Sequence, residues 1–167
     1  YIGIVKDEGV EKSPGELLVY LLDKREDNNK LIEIVSKELN IRPFKVNKPT
    51  EYEDEQVAKR IAPPVESWLR GFYDAEFILT DSFHGTIFSI IFNKPFIVYA
   101  NPHRGMARFQ SLLDMFNLED RIIHSISELD INLVKKTLDW KKVNEILNVQ
   151  RKISHEYLNS LLNITNC

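Results

Sequence analysis

The strongest constraint in this chain is a set of apolar runs that do not alternate. Leu17-Leu18-Val19-Tyr20-Leu21-Leu22, Phe77-Ile78-Leu79 and Phe96-Ile97-Val98-Tyr99-Ala100 each place apolar side chains at every position. A strand points successive side chains to opposite faces, so such a run must be covered on both. Strands of that kind belong to parallel sheets flanked by helices. Between the runs the spacing turns helical. Leu31, Ile34, Val35 and Leu39 recur at three and four residues and stop near Asn40. Val65, Trp68, Leu69 and Phe72 repeat that pattern behind Pro63-Pro64, which suits a first helical turn. A strand at Phe77, a turn from Thr80 to Gly85, a helix from Thr86 to Phe92 and a strand at Phe96 make one βαβ unit. The expected fold is α/β, a three-layer α/β/α Rossmann-like domain with a mostly parallel sheet.

The remaining segments fill in that frame. Tyr1 to Val5 reads as a short strand, Lys6 to Glu16 as a polar loop, and Asp23 to Asn29 as a charged turn. Arg42 to Val46 is a plausible second strand, and Ile122-Ile123 a last short one. The acidic cluster Glu51-Tyr52-Glu53-Asp54-Glu55 reads better as a solvated loop or helix start than as a cation site. Phe109, Leu112, Leu113 and Phe116 mark a helix after the loop Asn101 to Ala107. A long amphipathic helix is expected over 139–163, carrying Val143, Ile146, Leu147, Ile153, Tyr157, Leu158, Leu161 and Leu162. It could pack on its own domain or cross back to another.

A length of 167 residues supports one domain, 1–167, or at most two very small ones. The net charge of −3 argues against a basic nucleic-acid binder. The single Cys is Cys167, so no internal disulfide framework exists and a reducing compartment is expected. No apolar run reaches the roughly 18 residues that span a bilayer, and no signal-peptide pattern opens the chain. A cytoplasmic location is expected, with peripheral association at the inner membrane face as an option. The chain starts at Tyr1 rather than Met, and upstream sequence is therefore expected.

In open α/β sheets, ligands bind outside the carboxyl ends of the strands, where helix N-termini also point. Two loops sit at such ends. The first is Thr80-Asp81-Ser82-Phe83-His84-Gly85-Thr86. Free amides and the positive end of the helix dipole would there suit a phosphate or carboxylate. Gly85 permits close approach of a ligand or of backbone, and Ser82 and Thr86 offer hydroxyls. His84 has an ordinary pKa near neutrality, so it could pass protons as an anion arrives. It could equally cap the helix or be hydrogen-bonded within the core. Asp81 reads as an N-cap rather than a base, and Ser82 as a second candidate cap. Ser82 is no nucleophile candidate, because the Gly-x-Ser-x-Gly elbow is absent.

The second loop holds His103, Arg104 and Arg108, which could form an anion-binding rim. The alternative is that Arg104 and Arg108 are surface residues, although Arg early in a helix opposes the dipole. Histidines at 84, 103, 124 and 155 have no metal-ligand spacing, and there is no phosphate-binding P-loop. No metal and no cofactor are expected.

The run YDAEFILTDSFHGTIFSIIFNKPFIVYANPHRGMARFQSLL, residues 73–113, strongly resembles the C-terminal region of bacterial polysaccharide pyruvyl transferases. The likeness extends more loosely to LLVYLLD and to LEDRII at 118–123. The resemblance implies a GT-B-like two-domain protein with its active site between two Rossmann-like halves. It implies transfer of a pyruvyl group from phosphoenolpyruvate to sugar hydroxyls of a cell-surface polysaccharide precursor, giving a pyruvate ketal. His84 would be a donor-site acid or base. Many relatives carry Ser-Arg-Leu-His-Gly here; this chain has Ser82 where they have Arg. Arg104 and Arg108 are the natural substitutes for that cation. The implied partners are phosphoenolpyruvate, a saccharide or lipid-linked saccharide acceptor, and an N-terminal half of the same chain. The present chain would be the donor-binding half, able to fold and bind phosphoenolpyruvate weakly but not to turn over alone. Two other readings remain: the donor-binding domain of a nucleotide-sugar glycosyltransferase, and a non-catalytic domain of the same fold.

Overall fold

The computed structural model describes residues 2–7, 10–46, 64–102 and 105–164. Five strands form one sheet: β1 (Leu17–Tyr20), β2 (Pro43–Phe44), β3 (Phe77–Thr80), β4 (Phe96–Tyr99) and β5 (Ile122–Ile123). Their order is β2-β1-β3-β4-β5, and every pairing is parallel. Leu17 aligns with Phe77 and Tyr20 with Thr80, while Thr80 aligns in turn with Val98. The carboxyl ends of the three central strands are therefore level to within one residue, β4 running on to Tyr99.

The non-alternating runs divide as the pleat requires. Leu18, Ile78, Phe96 and Val98 face one core, and Leu17, Val19, Phe77, Leu79, Ile97 and Tyr99 face the other. The first core is covered by α3 (Val65–Asp74), α4 (Phe83–Ile91), α5 (Met106–Phe116) and the start of α7 (Trp140–Ile164). The second is covered by α2 (Asn28–Leu39) and the short α6 (Ile131–Lys135). The domain is a three-layer α/β/α sandwich of the Rossmann-like kind. Burying both faces is what allows strands with no polar side.

Several expectations need correcting. The opening segment is a helix, α1 (Ile2–Asp7), rather than a strand. Val5 lies fully buried in one cluster with Leu69 and Phe72 of α3, and packing overrides propensity. β1 ends at Tyr20, leaving Leu22 exposed, and the second strand is only Pro43–Phe44. Pro64 caps α3, and Val65 is exposed, so the buried stripe begins at Trp68 and Leu69. Asn40, in the left-handed conformation, ends α2. The acidic cluster 51–55 and Pro63 lie outside the described residues.

Two further features were not expected. Arg121 is fully buried and donates Nη1 to the Leu133 carbonyl (3.0 Å) and Nη2 to that of Lys136 (3.3 Å). It fastens the approach to β5 onto the end of α6, and burial lowers its pKa. In α7, Val143 is buried and Ile146 and Leu147 pack on the first core. Beyond Val149 the apolar stripe of Ile153, Tyr157, Leu158, Leu161 and Leu162 is exposed. No helix among the described residues is long and apolar enough to cross a membrane.

Candidate functional site

The turn after β3 is built by side chains that leave one residue outside. Thr80 Oγ1 donates to the Tyr20 carbonyl across the sheet (3.0 Å) and accepts the Ser82 N–H (3.0 Å). Ser82 takes extended dihedrals and caps α4, its Oγ accepting the Gly85 N–H at 3.4 Å. The Ser82 carbonyl accepts both the Thr86 N–H (2.9 Å) and Thr86 Oγ1–H (3.1 Å). Gly85 is buried against the end of the sheet. A Cβ there would stand 2.2 Å from Thr80 Oγ1 and 3.0 Å from Tyr20 Cδ1. Ser82, Gly85 and Thr86 thus hold the turn together, and each is buried.

What remains open is the helix start itself. The N–H groups of Phe83 and His84 have no acceptor among the described residues, and the His84 side chain is exposed. The imidazole is thus carried by the first turn of an apolar nine-residue helix, at the positive end of its dipole. The helix starts three residues earlier than its apolar run suggested, because Ser82 supplies the cap.

Asp81 does not cap α4. Its Oδ1 accepts the Leu22 N–H at 2.8 Å and its Oδ2 the Asp23 N–H at 2.7 Å. Ser82, one residue closer to the helix, has the extended backbone that a cap needs, so Asp81 is left to reach sideways. Burial pushes its carboxyl above the ordinary value, against the downward pull of the two amides. The loop that it grips runs on across the sheet. Asp23 Oδ2 accepts Asn101 Nδ2–H (2.8 Å), and Arg25 donates to the carbonyls of Ala100 (3.3 Å) and His124 (2.9 Å). The Arg25 guanidinium lies 3.6 Å over the Tyr99 ring, whose hydroxyl donates to Asp27. Burial above all pushes the Tyr99 phenol up to about 12. The segment 22–27 therefore straps the carboxyl ends of β3, β4 and β5. From sequence it showed only as charged residues following a strand.

On the second loop, His103 and Arg104 lie outside the described residues. Gly105 adopts φ 53° and caps α5. Arg108, one turn on, places its guanidinium 5.3 Å from the centre of the Phe83 ring. That ring also meets Phe109 edge-on at 5.8 Å and His84 at 6.3 Å. His84 and Arg108 are thus brought to one aromatic ring, which sequence reasoning had passed over. An open groove of about 410 Å³, lined by Phe83, Ala107, Arg108, Ser111, Leu112 and Met115, adjoins it. Another cavity, of about 260 Å³, lies by Phe77 and Pro95 at the opposite, amino edge of the sheet. Among the described residues no group of His, Cys, Asp and Glu could hold a metal. The site offers amide and guanidinium donors for an anion, with one titratable imidazole beside them.

A family model described as polysaccharide pyruvyl transferase matches residues 7–103, more than half of the chain. The match takes in β1 to β4 and the whole turn 80–86, and ends before α5 and Arg108. No curated protein and no solved structure matches the chain.

Proposed function

Since the chain belongs to the polysaccharide pyruvyl transferase family, we propose that it is the half that binds phosphoenolpyruvate and delivers its pyruvyl group to sugar hydroxyls. The observation that carries this reading is the exposed His84 at a helix start whose first two amides have no acceptor among the described residues, inside the matched span. Phosphoenolpyruvate brings a phosphate and a carboxylate, and a helix N-terminus with a nearby arginine complements both. Arg108 would supply charge, with Arg104 and His103 as further candidates shortly before it in sequence. Ser82, Gly85 and Thr86 would act by holding the turn in shape.

The addition step asks for two proton movements: a sugar hydroxyl adds its oxygen to C2 of the donor and loses its proton, while the methylene carbon gains one. A second hydroxyl then displaces phosphate from C2 and closes the ketal, and its proton leaves with the phosphate. His84 would carry the proton in one of these transfers. The acceptor would be a saccharide or lipid-linked saccharide, met across a cleft closed by a second Rossmann-like half.

Thermal melting with ligand tests the reading. At about 100 times its Kd, phosphoenolpyruvate should stabilise the chain by about 2.7 kcal/mol. For a domain near this size that is roughly 5–10 °C in Tm. A UDP-sugar should leave Tm unchanged. The reverse pattern would favour a nucleotide-sugar glycosyltransferase, and no shift with either would favour a non-catalytic domain.

A further inference from the structure

Arg108 is in a position where an arginine would not ordinarily stay. It is exposed and lies in the first turn of α5, where the helix dipole repels a cation. Among the described residues no carboxylate pairs with it. An unpaired guanidinium on a long side chain would extend into water and sample many rotamers. Here it turns back instead. A Cβ on Gly105 would stand 2.9 Å from Arg108 Nη2 and 3.1 Å from Nε, so the guanidinium runs close over a residue that has none. The guanidinium carbon also lies over the Phe83 ring, 5.3 Å from its centre. Phe83 is itself anchored, being the first residue of α4 and packed edge-on against buried Phe109.

We propose that Phe83 is a positioning residue that holds the Arg108 guanidinium beside the α4 N-terminus, ready for the anionic donor. Its ring restricts a cation whose donors have no partner among the described residues, so ordering is largely complete before binding. The left-handed Gly105 belongs to the same device, because it opens the path that the side chain takes. The ligand named here rests on the donor-site reading above; the positioning itself does not.

The test has two arms on the same 167-residue chain. In the first, the Arg108 Nε–H resonance is assigned by NMR. Stacking predicts an upfield ring-current shift that Phe83→Leu removes and Phe83→Trp keeps. In the second, phosphoenolpyruvate is titrated into four proteins: the parent chain, Phe83→Leu, Arg108→Ala, and the double variant. Phe83→Leu should weaken binding about three- to tenfold, and Phe83→Trp should restore it. In the Arg108→Ala background the same change should matter by less than about twofold, which a purely structural role would not produce. An unshifted Arg108 resonance, or equal weakening with and without Arg108, would overturn the proposal. A ring-current shift that Phe83→Leu removes, in a chain that binds no phosphoenolpyruvate, would support the positioning and overturn the donor reading instead.

Discussion

Replacing His84 by alanine in the full-length protein is expected to lower pyruvyl transfer by about 10²–10⁴-fold, the range for loss of one proton-transfer group. With Ser82 as the cap, the imidazole is in the first turn of α4, exposed and next to two amides without acceptors among the described residues. Stability should change by no more than about 0.5 kcal/mol, since the side chain is exposed. His84→Gln, which keeps hydrogen bonding but not proton transfer, should be as slow as alanine. Near-normal turnover in either variant would remove His84 from the mechanism.

Gly85→Ala should produce the largest structural effect. The added methyl would fall 2.2 Å from Thr80 Oγ1, and that hydroxyl cannot swing away cheaply. It donates to Tyr20 and accepts from Ser82, so moving it breaks the tie between the sheet and the α4 cap. Overpacking costs about 1–3 kcal/mol and each disrupted buried hydrogen bond about 1 kcal/mol more. A total near 3 kcal/mol corresponds to a Tm lower by roughly 6–12 °C. Adding Thr80→Ala removes the obstructing hydroxyl. The double variant should then be more stable than the sum of its single changes by at least about 1 kcal/mol. Strict additivity, or a Gly85→Ala melting point equal to that of the parent chain, would mean that the glycine is there for some other reason.

The architecture was legible because both faces of the sheet are buried. Leu17 and Leu18 point to opposite cores, and only a run apolar throughout can serve both. What was not legible depended on distant partners or on small differences in backbone. Asp81 and Ser82 are both good capping types at adjacent positions, and the extended dihedrals of Ser82 decide between them. The strap from Asp23 and Arg25 reaches Asn101, Ala100 and His124, up to 99 residues away, so no local pattern announces it. Val5 reads as part of a strand until α3 is there to bury it. The stripe on α7 was visible, but its spacing could not show that it leaves the core after Val149.

The candidate site divides along the same line. The motif Asp-Ser-Phe-His-Gly-Thr located the turn, and Ser82, Gly85 and Thr86 fell within it because side-chain capping and a missing Cβ are local properties. Phe83 was overlooked because an aromatic residue before an apolar helix reads as core. Its contact with Arg108 joins two helices that pack against each other only in the folded domain.

Amide NMR of the chain shows whether the start of α4 is an anion site for phosphoenolpyruvate. Phosphoenolpyruvate should shift the resonances of Phe83, His84 and Arg108 saturably, and a UDP-sugar at the same concentration should not. Saturable shifts that avoid these residues, or an equal response to the UDP-sugar, would contradict that reading.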